Sequence, residues 1–304
     1  MAVCLDEAMG EVFLKLVFVE KRFGEGRVLV EEFLTGPEVS IFAAVVDGDY
    51  LIFTPARDYK RIGEDDTGPN TGGMGAHSPA GVLNVDLGKG ILDQVMRPMI
   101  SGLAEENRTF VGILYAGLMV TDSSIKVLEF NGRFRDPEAQ PLLVRLKSDI
   151  IPIFEAIIDE RLDACRLDID PRASVCVVMA AGGYPGKYKK GLEIKGIDAA
   201  NRMRDVVVFH AGTRLSDKKI LSHGGRVLGV TALGNTVELA IKKAYQAVAK
   251  IKWTRVHYRT DIGKKALVRM QAVPRVGIVM GSDSDLKVME GALGIFKKFG
   301  IPIE

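Results

Sequence analysis

Residues 110–141 read FVGILYAGLMVTDSSIKVLEFNGRFRDPEAQP, and the other segments take their places around this stretch. Two apolar runs, Ile113–Val120 and Ile125–Phe130, flank the polar tip Thr121-Asp122-Ser123-Ser124. Such runs bounded by a turn predict a β-hairpin buried on at least one face. Alternate residues of a strand share a face, so Glu129 and Asn131 point one way and Phe130 the other. A carboxylate and an amide oxygen side by side are hard ligands that suit Mg²⁺, which completes its shell with water and nucleotide phosphates. Arg133, in phase with them, is placed to meet phosphate or a developing negative charge. The plainer reading is a strand end with solvated polar residues, and for Glu-x-Asn alone it is the better one.

At 304 residues the chain is long enough for two domains. A hydrophobic fraction of 47% with 26% charged residues is that of an ordinary globular protein. The formal charge of +2 gives no reason to expect nucleic acid as a partner. Cys4, Cys165 and Cys176 have no metal-ligand spacing and read as reduced, core-packing thiols. His77, His210, His223 and His257 are scattered, which argues against a zinc cluster. No apolar run reaches the length of a membrane span, and the N-terminus has no basic region leading into an apolar core. The expectation is a cytoplasmic protein with no membrane partner.

Residues 1–26 have a helix-like middle but no clear first strand. Val28–Phe33 is a short apolar run that continues through Glu31, Glu32, Phe33 and Leu34 to Glu38. Ser40–Val46 and Tyr50–Phe53 predict a hairpin turned at Asp47-Gly48. A strand, a bend and a carboxylate there could hold a nucleotide, although an ordinary hairpin with exposed acids is the better reading of those residues alone. Arg57–Ser78 is too rich in Gly, Asp, Asn and Pro for a regular element. Its Gly68, Gly72, Gly73 and Gly75 let backbone amides approach an anion, with Lys60 and Arg61 adding positive charge. It is not a Walker A loop. A flexible surface loop is the alternative, but long loops in compact domains favour function. Asp86–Asn107 has helical spacing that Pro98 should kink or split. Pro141–Leu162 reads as another helix, with Pro152 near its middle. Beyond Asp168–Arg172, strands over Ala173–Ala180, Val206–Phe209 and Arg226–Ala232 and a helix over Thr236–Ile251 predict a small α+β domain. Arg275–Met280, a Gly281–Asp285 loop and a helix over Leu286–Phe299 form a β-loop-α unit suited to phosphate.

The motifs together resemble the C-terminal part of the glycinamide ribonucleotide synthetase (phosphoribosylamine–glycine ligase) family, from about Asp6 to Leu267. They are VEEFLTGPEVS at 30–40, DYKRIGEDDTGPNTGGMGAHSP at 58–79, YAGLM at 115–119, VLEFNGRF at 127–134 and DPEAQP at 136–141. MAAGGYPG at 179–186, HAGT at 210–213, GGRVLGVTALG at 224–234 and YRTDIG at 258–263 complete the set. Residues 275–304, with VGIVMGSDSDLKVM, resemble the start of N5-carboxyaminoimidazole ribonucleotide mutase, an enzyme of the same purine pathway.

The resemblance implies an α/β (α+β) architecture: a truncated ATP-grasp domain over 1–170, a C-terminal α+β domain over 171–268, and a linker with the terminal β-loop-α unit over 269–304. It implies ATP and Mg²⁺ (or Mn²⁺) as cofactors, with glycine and 5-phosphoribosylamine as substrates. Glycine's carboxylate becomes an acyl phosphate that the amine attacks, giving glycinamide ribonucleotide, ADP and phosphate. By the same resemblance Glu129 and Asn131 are the metal ligands. Glu31, Glu32, Phe33 and Leu34 form the adenine-side linker, and Glu38 faces the ribose. Lys60, Arg61, Arg133 and Asp136 lie where substrate and phosphates meet. Three departures accompany the match. The family's N-terminal substrate domain and Gly-rich phosphate loop are not in these residues. Arg135 stands where the family pattern Arg-Phe-Gly-Asp-Pro-Glu-x-Gln has Gly, so strain or a blocked site is expected, and Arg135→Gly is expected to improve nucleotide binding. The mutase-like part stops after its first unit. The chain is expected to be a piece of a larger reading frame, and the alternative function is a non-catalytic fragment with weak Mg-nucleotide binding.

Overall fold

The computed structural model describes residues 4–267 apart from 5, 23, 82–84 and 122–123, together with 289–291 and 293–295. The strand and phosphate loop expected over 275–285 lie outside the described residues. The chain enters through α1 (Glu7–Leu14), whose N-cap Asp6 accepts from the Met9 amide at 2.8 Å. A π turn over Lys15–Val19 follows, and neither piece buries a residue. Residues 24–35 are irregular, so the short apolar run Val28–Phe33 forms no strand; Leu29, Val30 and Phe33 are exposed. Among the described residues no strand pairs with them.

The first sheet opens with β1 (Glu38–Val46) and β2 (Asp49–Ile52). Asp47 and Gly48 both have positive φ, the type I′ geometry that matches strand twist. After β3 (Arg57–Asp58) and β4 (Gly75–Ser78) come β5 (Gly112–Val120) and β6 (Ile125–Asn131), the expected central hairpin. The sheet order is β2-β1-β5-β6, antiparallel throughout. One face, carrying Val39, Ile41, Ala43, Leu114, Ala116 and Leu118, packs on Ile91, Val95, Met96 and Ile100. Those four belong to α2 (Val85–Ile91), a π turn over Leu92–Met96 and α3 (Arg97–Glu105). Pro98 falls in the first turn of α3, just beyond the π turn, where its missing N–H costs least.

The opposite face carries Phe42, Ala44, Val46 and Tyr115 and is covered by Leu142, Ile153, Ala156 and Ile157. Fully burying side chains such as Phe42 and Leu142 contributes about 1.5–3 kcal/mol each. These helices are α4 (Ala139–Leu143) and α5 (Ile151–Ile158), so the single helix expected over Pro141–Leu162 is two. Pro152 is the reason. It is accepted in a first helical turn, not in an interior, and it begins α5 rather than dividing one long helix.

The second sheet has the order β3-β4-β7-β11-β8, with β12 also on β7. It comprises β7 (Ala173–Ala181), β8 (Val206–His210), β11 (Arg226–Gly234) and β12 (Val256–His257), while β9 (Thr213–Ser216) and β10 (Lys219–Ser222) pair as a separate hairpin. All nine residues of β7 are buried, which explains its unbroken apolar run. Against the sheet pack α6 (Ile197–Asn201) and α7 (Val237–Val248), the latter capped by Thr236, which accepts from the Leu239 amide at 3.2 Å. Because β3 and β4 pair into this sheet, residues 57–78 are not a surface loop. Asp58, Tyr59 and 73–78 are buried, and only the excursion between them reaches solvent.

Candidate functional site

The register of the first sheet collects its polar residues. Ser40 pairs with Gly117, Phe42 with Tyr115, Gly117 with Glu129 and Tyr115 with Asn131. Paired residues share a face, so Glu38, Ser40, Tyr115, Glu129 and Asn131 all project from the side that holds Phe42. A bulge at Gly117/Leu118 absorbs Leu128 just before Glu129, and the expected alternation of Glu129, Phe130 and Asn131 runs undisturbed after it. Phe130 packs in the opposite core. Gly117 has no side chain, and the Tyr115 ring lies over it: a Cβ there would stand 2.7 Å from the Tyr115 hydroxyl.

Beyond β6 the chain folds back across this polar end. The Arg135 guanidinium lies over the Tyr115 ring, 5.0 Å from its centroid, and Nη1 meets Glu129 Oε1. Its Nε is 4.0 Å from Glu138 Oε1, which accepts from Ser40 Oγ at 3.0 Å. On the other side, Lys60 Nζ is 2.6 Å from Glu38 Oε2. Burial disfavours the Lys60 charge, but Glu38 outweighs it and the pKa is raised. Burial first of all raises the pKa of Asp58 well above the ordinary carboxylate value and that of Glu138 above it. Asp58 is raised further by repulsion from Glu138, while Arg135 pulls Glu138 the other way. Four carboxylates thus face two cations. Both oxygens of Asp58 and Oε2 of Glu138 are buried without a hydrogen-bond partner.

That excess of buried oxygen donors, next to the exposed Glu129 and half-buried Asn131, fits a hard cation completed by water and phosphate. Among the described residues no group of three or more His, Cys, Asp or Glu is placed to hold a metal ion. Cys176 is buried and its thiol is pushed up to about 12 by that burial, whereas Cys4 is exposed and not a core residue.

The remaining predicted residues are distributed around this cluster. Arg61 Nη1 donates to the Gly68 carbonyl at 2.7 Å and closes its own loop. Arg133 is exposed at the strand end, and its Nη1 donates to the Phe134 carbonyl at 3.4 Å. The Asp136 carboxylate accepts from Arg226 Nη1 at 3.1 Å. Glu31 is exposed, and Glu32, Phe33 and Leu34 line a groove of about 580 Å³ with Val120, Thr121 and Lys126, Glu32 lying 3.7 Å from Lys126. Of the four glycines expected to meet an anion, two have engaged amides: Gly72 N donates to the Tyr184 hydroxyl and Gly73 N to Thr71 Oγ1, each at 3.0 Å. The backbone at Arg135 is not in the left-handed region, so the expected strain is absent. Its side chain, not its φ, changes the site. Ser40, Tyr115 and Glu138 escaped the sequence reading. The alternation Glu38-x-Ser40 marked the first; Tyr115 lay inside an apolar run and Glu138 inside the DPEAQP motif, neither with a role of its own.

Two family models match the chain: the phosphoribosylglycinamide synthetase ATP-grasp (A) domain over residues 1–139 and the C domain of the same synthetase over 174–265. Phosphoribosylamine–glycine ligase from Rhodopirellula baltica is 46% identical over 256 residues, covering 83% of this chain and 58% of the relative. The ligase of the same name from Pseudomonas syringae pv. tomato is 48% identical over 251 residues, covering 81% and 58%. The chain therefore spans about three fifths of the length of such relatives. A crystal structure of phosphoribosylamine–glycine ligase from Thermotoga maritima superposes with a TM-score of 0.75 at 33% identity, covering 84% of this chain and 63% of that one. The biotin carboxylase domain of Hydrogenobacter thermophilus 2-oxoglutarate carboxylase gives 0.61 at 14% identity over 97% of this chain and 62% of its own, a likeness of fold alone. The first sheet and its helices are an ATP-grasp fold.

Proposed function

The chain belongs to the phosphoribosylglycinamide synthetase family, and on that premise we propose that it is the nucleotide-binding and C-domain portion of an ATP-dependent ligase joining glycine to 5-phosphoribosylamine. The observation that carries this reading is the single polar sheet face on which Glu38, Glu129 and Asn131 meet Lys60 and Arg135. Glu129 and Asn131 would hold Mg²⁺ (or Mn²⁺), which when bound neutralises charge between the phosphates. Lys60, fixed against Glu38, and the exposed Arg133 supply positive charge toward phosphate and the glycine carboxylate. Asp58 and Glu138, raised by burial, form a proton-holding pair beneath that point. The segment Glu31–Leu34 takes the adenine side and Glu38 the ribose. Asp136 and Arg61 shape the substrate end through Arg226 and Gly68. The division at about residues 170 and 268 and the mutase-like start over 275–304 belong to the same reading, as does a separate N-terminal substrate domain as partner.

The test is phosphate release from Mg-ATP by the whole chain, alone and with an N-terminal domain of a relative added in trans. Release that needs both glycine and 5-phosphoribosylamine supports a ligase. Release indifferent to either substrate contradicts it. The seating of Arg135 on Glu129 favours a second reading, a fragment that binds nucleotide without turnover; saturable Mg-ATP binding with no release under either condition is its signature.

A further inference from the structure

We propose that the Arg135 guanidinium is a resident cation at Glu129 that competes with a divalent ion for this carboxylate. The proposal rests on reading Glu129 and Asn131 as metal ligands. Arg135 is not a loose surface arginine. Its side chain is 16% exposed, whereas that of Glu129 is 42% exposed, so the carboxylate is open to solvent ions while its partner is held from inside. Three contacts fix the guanidinium: the Glu129 carboxylate, the Tyr115 ring 5.0 Å below it, and the Glu138 carboxylate 4.0 Å from Nε. Tyr115 Oη, 3.5 Å from Nη1, lies on the same side. Guanidinium does not lose its proton in proteins, so the charge stays at every working pH.

A divalent ion taking up Glu129 Oε1 would displace Nη1 from that oxygen or stand beside a positive charge in a partly desolvated pocket. Either route lowers affinity. Arg135 also spans the space between Glu129 and Glu138. Tight metal binding at this site is therefore favoured when the guanidinium swings away, toward solvent or toward a phosphate brought in by the nucleotide. Divalent ion alone is expected to bind weakly, and more strongly once an anion draws Arg135 off.

The experiment counts free Mn²⁺ by electron paramagnetic resonance during titration of the whole chain with Mn²⁺ alone. The variants are Arg135→Gln, Arg135→Met, Arg135→Lys, Glu129→Gln and the Arg135→Gln/Glu129→Gln pair. Both neutral Arg135 variants should bind Mn²⁺ about tenfold more tightly than the parent. Arg135→Lys, which keeps the charge, should stay within about twofold of the parent. The gain should vanish in the double variant. Methionine keeps the packing on Tyr115 if glutamine disturbs the fold. Neutral variants within about twofold of the parent, while Glu129→Gln still weakens Mn²⁺ binding, overturn the competition but leave the metal-site reading intact. If Glu129→Gln changes Mn²⁺ binding in neither background, the ion does not bind at Glu129 and both fall.

Discussion

His77 shows what one buried group does to this fold. It is fully buried in β4, its ring centroid 5.7 Å from that of Tyr59. Burial, helped by the Arg57 charge, lowers its pKa from 6.5 to about 3. The unfolded chain therefore binds a proton that the folded chain refuses, so this contribution is complete above the ordinary value of 6.5 and is lost as pH falls toward 3. Asp58 and Glu138 have the opposite sign: raised in the fold, they cost stability as pH rises through their window. Comparison with His77→Phe isolates the histidine. Between about pH 7 and about pH 5 the parent should lose roughly 2 kcal/mol more than the variant in urea denaturation. Gly73 is the other sensitive residue. Its φ is +107°, and a Cβ would stand 2.3 Å from Pro137 Cδ and 2.8 Å from Asp58 Oδ1. Gly73→Ala should cost at least about 2 kcal/mol by the same measurement. A loss below experimental error would mean that the Asp58–Pro137 junction is loose.

At the scale of elements, the segment between β3 and β4 is strapped to the end of the C domain. Arg259, fully buried, donates to Asp261 at 2.8 and 2.6 Å, to Asp66 at 3.0 Å and to the Arg61 carbonyl at 3.0 Å. His257 Nε2 lies 3.0 Å from the Ile62 carbonyl and Asp65 N donates to Asp261 Oδ2 at 3.0 Å. Arg259→Met leaves the buried Asp261 without its cation, while Asp66 keeps Lys265, and should destabilise by roughly 3–5 kcal/mol. A cost under about 1 kcal/mol would show the carboxylate finding water instead. These elements also mark what the sequence could and could not reveal. The β5–β6 hairpin, β7 and α7 were legible because their periodicities and turns are local. β3 and β4 were not. Each is too short to show alternation, and each is a strand only because β7 lies beside it. Glu129 and Asn131 were legible from parity, whereas Arg135's place on Tyr115 and Glu129 depends on the return of the chain after β6. Pro152 was seen, but its position in a first turn depends on where the preceding helix stops.

In the whole molecule, two sheets meet where the polar cluster lies. β7 and β11 are almost wholly buried, while α1 buries nothing and 24–35 form no regular element. Hydrogen exchange should therefore be slowest along β7 and β11 and fastest in α1 and the linker, with at least a hundredfold separation, or about 3 kcal/mol in opening free energy. Comparable protection in α1 would mean that it is packed on something in solution. Glu31, Glu32 and Phe33 are exposed, the last two lining the groove beside Lys126, whereas the Glu38–Lys60 and Glu129–Arg135 ion pairs lie on the polar sheet face. The most direct test of this site is calorimetric titration of the whole chain with Mg-ATP, repeated with Glu129→Ala. Saturable binding that weakens at least about tenfold in the variant is the expected result, a loss of about 1.4 kcal/mol or more. Binding unaffected by Glu129→Ala, or no binding by the parent chain, would contradict a nucleotide–metal site on this sheet face.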